Sequence, residues 1–67
     1  MKFKVEVERE EDGRWIAEVN ELPGVLVYGD SVVQAQAKAQ ALALRVLADQ
    51  LENGEAEPFE SVSFAAA

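Results

Sequence analysis

The chain has neither cysteine nor histidine among its 67 residues. The first absence excludes disulfide staples and thiolate metal sites; the second removes the commonest transition-metal ligand and general base. Basic residues are scarce as well, six Lys and Arg against thirteen Asp and Glu, for a net charge of -7. Nucleic-acid affinity comes mainly from Lys and Arg neutralising phosphates, so direct DNA or RNA binding by this chain is not expected. An acidic surface keeps a small protein soluble and suits a basic protein partner. No apolar run approaches the roughly 20 residues that span a bilayer. Met1 is followed by charged, alternating sequence rather than a basic segment and an apolar run. A soluble, cytoplasmic protein without membrane association is the expectation.

What is present is one small domain, near the size at which a single core barely offsets chain entropy. Help from self-association or a partner is therefore expected. Residues 2–9, KFKVEVER, alternate strictly, with Phe3, Val5 and Val7 on one face and Lys2, Lys4, Glu6 and Glu8 on the other. That is the period of a half-buried strand. The cluster Glu10-Glu11-Asp12-Gly13 supplies a turn, and RWIAEVN returns as a second strand, with Trp15, Ala17 and Val19 joining the first apolar face. Only two prolines and four glycines punctuate the chain, and three of these six lie in NELPGVLVYGDS, residues 20–31. Leu22-Pro23-Gly24 reads as a corner. VLVYG, apolar on both faces, reads as a strand covered on both sides or placed at an interface.

Ser31-Val32-Val33-Gln34 fits a capping box at the start of a helix over 32–52, ended by Asn53-Gly54. Val33, Ala37, Ala41, Leu44, Ala48 and Leu51 form one apolar stripe along it, widened by Leu47, and this stripe is expected to cover the sheet. Ala39, Leu42 and Val46 form a second patch, a candidate contact with another subunit. FESVSF, residues 59–64, alternates again as a last strand, which makes 1–64 the domain and 65–67 a short frayed tail.

The order is β-β-β-α-β, an α+β domain. A three-stranded antiparallel meander is expected, with the helix crossing over to set the fourth strand parallel to the first. One helix covers one sheet face. The apolar residues on the other, Ile16 and either Leu26 with Tyr28 or Val25 with Val27, argue for a homo-oligomer, a dimer or tetramer. Tyr28 is the better interface candidate; Trp15 is assigned to the core.

Carboxylates are the one chemically active group in abundance. Glu6 and Glu8 share a strand face, with Glu18 across from them, but Lys2, Lys4 and Arg14 lie on that face too. Cross-strand charge pairing on a solvated surface is the simpler reading than a metal-dependent nuclease. Ser31, Ser61 and Ser63 have no histidine to activate them, and Gly24 and Gly29 flank a strand rather than opening onto a helix with a Lys. No catalytic residue, metal site or cofactor is assigned. Glu6, Glu8, Glu10, Glu11 and Glu18 are candidates for holding a basic partner, and Ile16, Leu26, Tyr28, Leu42 and Val46 for a protein interface.

Several stretches together resemble the HicB-like family of antitoxins. They are Val5-Glu6-Val7-Glu8, Asp12-Gly13-Arg14-Trp15-Ile16-Ala17, Glu21-Leu22-Pro23-Gly24-Val25, Tyr28-Gly29-Asp30-Ser31 and Gln34-Ala35, covering residues 3 to 54 in order and spacing. Leu-Pro-Gly followed at this distance by Gly-Asp-Ser is the most distinctive pair. The resemblance implies a partial ribonuclease-H-like domain that neutralises HicA, a small basic toxin acting on messenger RNA. Many members add a C-terminal DNA-binding region; nothing after the fourth strand here corresponds to one, so operator binding is not carried over. Val25 stands where the family often has cysteine, and Val33 and Gln34 where it has glutamate.

Overall fold

A computed structural model describes residues 1–66. The elements are β1 (Lys2–Arg9), β2 (Trp15–Glu18), β3 (Leu26–Gly29), α1 (Val32–Glu52) and β4 (Ser63–Ala66). The strands form one sheet in the order β3-β2-β1-β4, with β1 parallel to β4 and the other neighbours antiparallel. The expected α+β topology is thus the observed one. The molecule is elongated, 40 × 19 × 15 Å, and β1 is divided lengthwise between two neighbours. Residues 2–5 of β1 pair with β4 and residues 6–9 with β2.

The turns follow from local chemistry. Pro23 and Gly24 are the central residues of a tight turn closed by the Val25 N–H donating to the Leu22 carbonyl at 3.2 Å. Gly24 has φ +86°, where a side chain would be strained. At the start of α1, the Ser31 hydroxyl accepts from the Gln34 N–H at 3.1 Å, and Gln34 Oε1 accepts from the Asp30 N–H at 2.6 Å. The expected capping box is present, shifted by one residue on its return bond. Replacing Ser31 by alanine is expected to cost about 1 kcal/mol, which in a domain of this size lowers Tm by roughly 4–8 °C. An unchanged thermal melt would show that the hydroxyl does not hold the helix start. The other end closes with Gly54 at φ +71°, its N–H donating to Leu51 O and that of Glu55 to Gln50 O, the bond pattern of a Schellman motif.

The core lies between α1 and one sheet face: Phe3, Val5, Ala17, Val19, Leu22, Val25, Ala35, Ala39, Ala43 and Leu47 are buried. Trp15 is only half-buried and packs at its margin, beside Val7, Val27, Phe59, Val62 and Phe64. Three alanines spaced by four bring α1 close to the sheet, so the core is thin and rich in methyl groups.

Two expectations are corrected here. First, α1 is rotated: Ala35, Ala39, Ala43 and Leu47 face the sheet, and Leu42 and Val46 pack beside them against the core instead of forming an outward patch. The Val33 to Leu51 stripe is the exposed one, with Val33 74%, Leu44 50% and Leu51 39% accessible. Gly29 permits this rotation. An ideal Cβ there would lie 2.5 Å from Ala35 N and 3.1 Å from its Cβ, so the end of β3 touches the first turn of α1 at a distance that only glycine allows. Second, the last strand comes later than FESVSF. Phe64 sits opposite Phe3, their ring centroids 5.9 Å apart, which places residues 59–62 before the start of β1 at Lys2. The Met1 ammonium donates to Ser61 O, and Ser63 N to Met1 O. Ala65 and Ala66, assigned to a frayed tail, pair with Lys4 and Val5; Ala67 lies outside the described residues.

Candidate functional site

The face of the sheet away from α1 is uncovered, and its side chains follow from strand parity. On β1 these are Lys2, Lys4, Glu6 and Glu8, on β2 Ile16 and Glu18, and on β3 Leu26 and Tyr28. The choice left open for β3 is thereby resolved: Val25, Val27 and Gly29 turn inward, while Leu26 is 47% and Tyr28 39% exposed.

Register then decides the electrostatics. Glu6 stands opposite Glu18, which stands opposite Leu26; Glu8 stands opposite Ile16, which stands opposite Tyr28. Lys2 and Lys4 are opposite Ser63 and Ala65, on the other half of β1. The expected cross-strand pairing of acids with bases is therefore overturned. Staggering of β1 between two neighbours sends the lysines to β4 and the glutamates to β2, where two like charges face each other, an arrangement that destabilises a sheet. Among the described residues the one salt bridge is Arg14 Nε to Asp12 Oδ2, at 2.7 Å.

Glu6, Glu8, Glu10 and Glu18 surround an open depression of about 390 Å³ whose apolar side chain is Ile16. Glu6 is steadied by Asn20, whose Nδ2 donates to Glu6 Oε2 at 3.0 Å. Glu11 lies apart, at the hairpin tip with Asp12 and Arg14. Four of the five acidic candidates are thus brought together. Of the apolar candidates, Ile16, Leu26 and Tyr28 share this face, whereas Leu42 and Val46 are on α1, against the core.

Sequence reasoning placed Arg14 on this face as a partner for the glutamates and missed its contact with Tyr28: the guanidinium carbon lies 4.4 Å from the ring centroid, within cation–π range. Asp12 positions it, accepting from the Arg14 backbone N–H at 3.0 Å and from Nε. These bonds, the backbone one foremost, hold the Asp12 carboxyl below its ordinary value. The contact is therefore fully present above the usual carboxylate range and is lost as pH falls through the lowered pKa. The signal was available, since Arg14 and Tyr28 have the same strand parity on neighbouring strands.

The site offers anions and an apolar strip. Among the described residues no cluster of Asp or Glu is arranged to hold a metal ion, and no helix is long and apolar enough to cross a membrane. Such a face attracts cations and gives an amphipathic surface something apolar to rest on. No protein-family model matches the chain, and no curated protein or solved structure matches it significantly.

Proposed function

We propose that this chain is a non-catalytic binding module, an antitoxin of the HicB kind, whose open sheet face holds and occludes a small basic RNA-acting protein of the HicA kind. The observation that carries the reading is the gathering of Glu6, Glu8, Glu10 and Glu18 around one depression, beside the exposed Leu26 and Tyr28. Glu6 and Glu18 repel each other across the ladder in the free chain. A partner that brings Lys or Arg between them relieves that repulsion, and complementary charge also speeds encounter. The carboxylates would occupy the basic groups that an RNA-acting protein uses for phosphate, while Leu26 and Tyr28 give the contact an apolar anchor. The interaction needs no cofactor.

The test is co-expression with a small basic reading frame encoded beside the gene. A complex should co-purify, weaken as salt is raised, and lack the RNA cleavage of the basic protein alone. Absence of such a reading frame, or cleavage undiminished by a molar excess of this chain, would remove the antitoxin reading. A second reading, a stand-alone homo-oligomeric module, is favoured by the exposed Val33, Leu44 and Leu51 on α1; it predicts self-association with no effect on any neighbouring basic protein.

A further inference from the structure

We infer that the outward stripe of α1 pairs, antiparallel, with the same stripe of a second copy of this chain, giving a sheet–helix–helix–sheet dimer with both acidic faces pointing outward. Ala37, Ala41, Leu44, Ala48 and Leu51 are all exposed and succeed one another at intervals of four, three, four and three. That is the heptad spacing of a helix–helix seam, with Ala41 and Ala48 at one core position and Leu44 and Leu51 at the other. At 100° per residue the seam lies about 140° round the helix from the buried face of Ala35, Ala39, Ala43 and Leu47, so it is free to meet another helix.

Three observations name the occupant and its direction. The helix carries four charged residues, Lys38, Arg45, Asp49 and Glu52, two of each sign, so the -7 of the chain lies wholly outside it. Of the two large surfaces, α1 is the one on which an equally acidic second copy meets no net charge; the glutamate-lined sheet face would repel it. Next, the charges are ordered, basic first and acidic last, and none of them forms a salt bridge within the chain. Antiparallel pairing sets basic against acidic, whereas parallel pairing sets like against like. Finally, antiparallel packing places the alanine position of one helix against the leucine position of the other in every layer. Ala41 then faces the partner's Leu51, and Leu44 the partner's Ala48, so each large side chain meets a small one. In this register Lys38 lies beside the partner's Glu52, twice by symmetry, while Arg45 approaches the partner's Arg45 with Asp49 one turn along to offset it. Of the two registers shifted by one heptad, one would bring Lys38 to the partner's Arg45 and is disfavoured by charge; the other sets Arg45 beside the partner's Glu52 but keeps only Ala48 and Leu51 in the seam, so it loses half of the Ala–Leu contacts.

Sedimentation equilibrium of the full chain tests this. The parent should be dimeric, and Leu44→Glu, an exposed change that leaves the far-UV spectrum intact, should be monomeric at concentrations where the parent is not. Lys38→Glu should weaken the dimer by about 10-fold, and Lys38→Glu with Glu52→Lys should restore it, a rescue that parallel pairing cannot produce. Leu26→Glu, on the sheet face, should leave the dimer unchanged. A monomeric parent, a dimer indifferent to Leu44→Glu, or failure of the double variant to recover would each overturn the inference. Neither result depends on a basic partner, so failure here leaves the binding function of the sheet face standing.

Discussion

Replacing Gly29 by alanine is expected to lower the melting temperature by about 10–20 °C. The added Cβ would meet Ala35 N at 2.5 Å and Ala35 Cα at 2.8 Å, both backbone atoms that cannot swing aside. Relief requires α1 to lift off or rotate, which separates Ala35, Ala39 and Ala43 from the sheet together. Overpacking of this kind costs about 2–3 kcal/mol, and each kilocalorie moves Tm by roughly 4–8 °C in so small a domain. A comparison with Gly24→Ala isolates the cause. Gly24 also resists a side chain, through its φ of +86°, but nothing lies within 4 Å of its Cβ position. Its cost should stay near 1 kcal/mol, the local strain alone. Thermal denaturation followed by circular dichroism gives both values. If Gly29→Ala melted no lower than Gly24→Ala, the close approach of β3 to α1 would not be the feature that positions the helix.

Changing Glu18 to lysine should move stability and binding in opposite directions. The substitution turns the Glu6–Glu18 repulsion into an attraction on a half-exposed ladder, worth about 0.5 kcal/mol of added stability, with a ceiling of roughly 1. Tm should rise by a few degrees, on the order of 3 °C. The same change puts a cation in the middle of the surface proposed to receive one, and affinity for a basic partner should fall by at least ~10-fold at low salt. The difference between parent and variant should narrow as ionic strength rises, because screening weakens both the attraction lost and the repulsion introduced. A stability that rises while affinity falls would mean that the acidic face is kept for binding at the expense of the free fold. Unchanged affinity would move the partner contact elsewhere.

Much of this was legible in the linear sequence because it rests on short-range chemistry. Alternation in KFKVEVER marks a strand wherever that strand goes, since side chains on extended backbone point to opposite sides. Pro23 and Gly24 make a turn through their own dihedral preferences. Ser31, Gln34 and Gly54 bound α1 through bonds within a few residues, and its limits at 32 and 52 match the sequence reading. The parallel return of β4 to β1 follows from one crossover helix joining strands of one sheet.

The tertiary structure decided what depends on contacts between distant segments. Two apolar stripes on α1 have the same helical period, so periodicity cannot rank them; packing buries the alanine stripe, with Ala35 against Gly29, and exposes Leu44 and Leu51. Strand parity separates Leu26 and Tyr28 from Val25 and Val27, but which pair faces outward depended on the side that α1 covers. The position of β4 was set by Phe64 against Phe3, 61 residues apart in sequence, and not by the alternation of FESVSF. Which charges meet is likewise a matter of register. Glu6 faces Glu18, and the lysines are carried off toward β4, because β1 divides its length between two neighbours. Local patterns state what each side chain prefers within a turn or two of chain; only the packed sheet and helix determine which preferences are satisfied together, and the unsatisfied glutamates on the open face are the result.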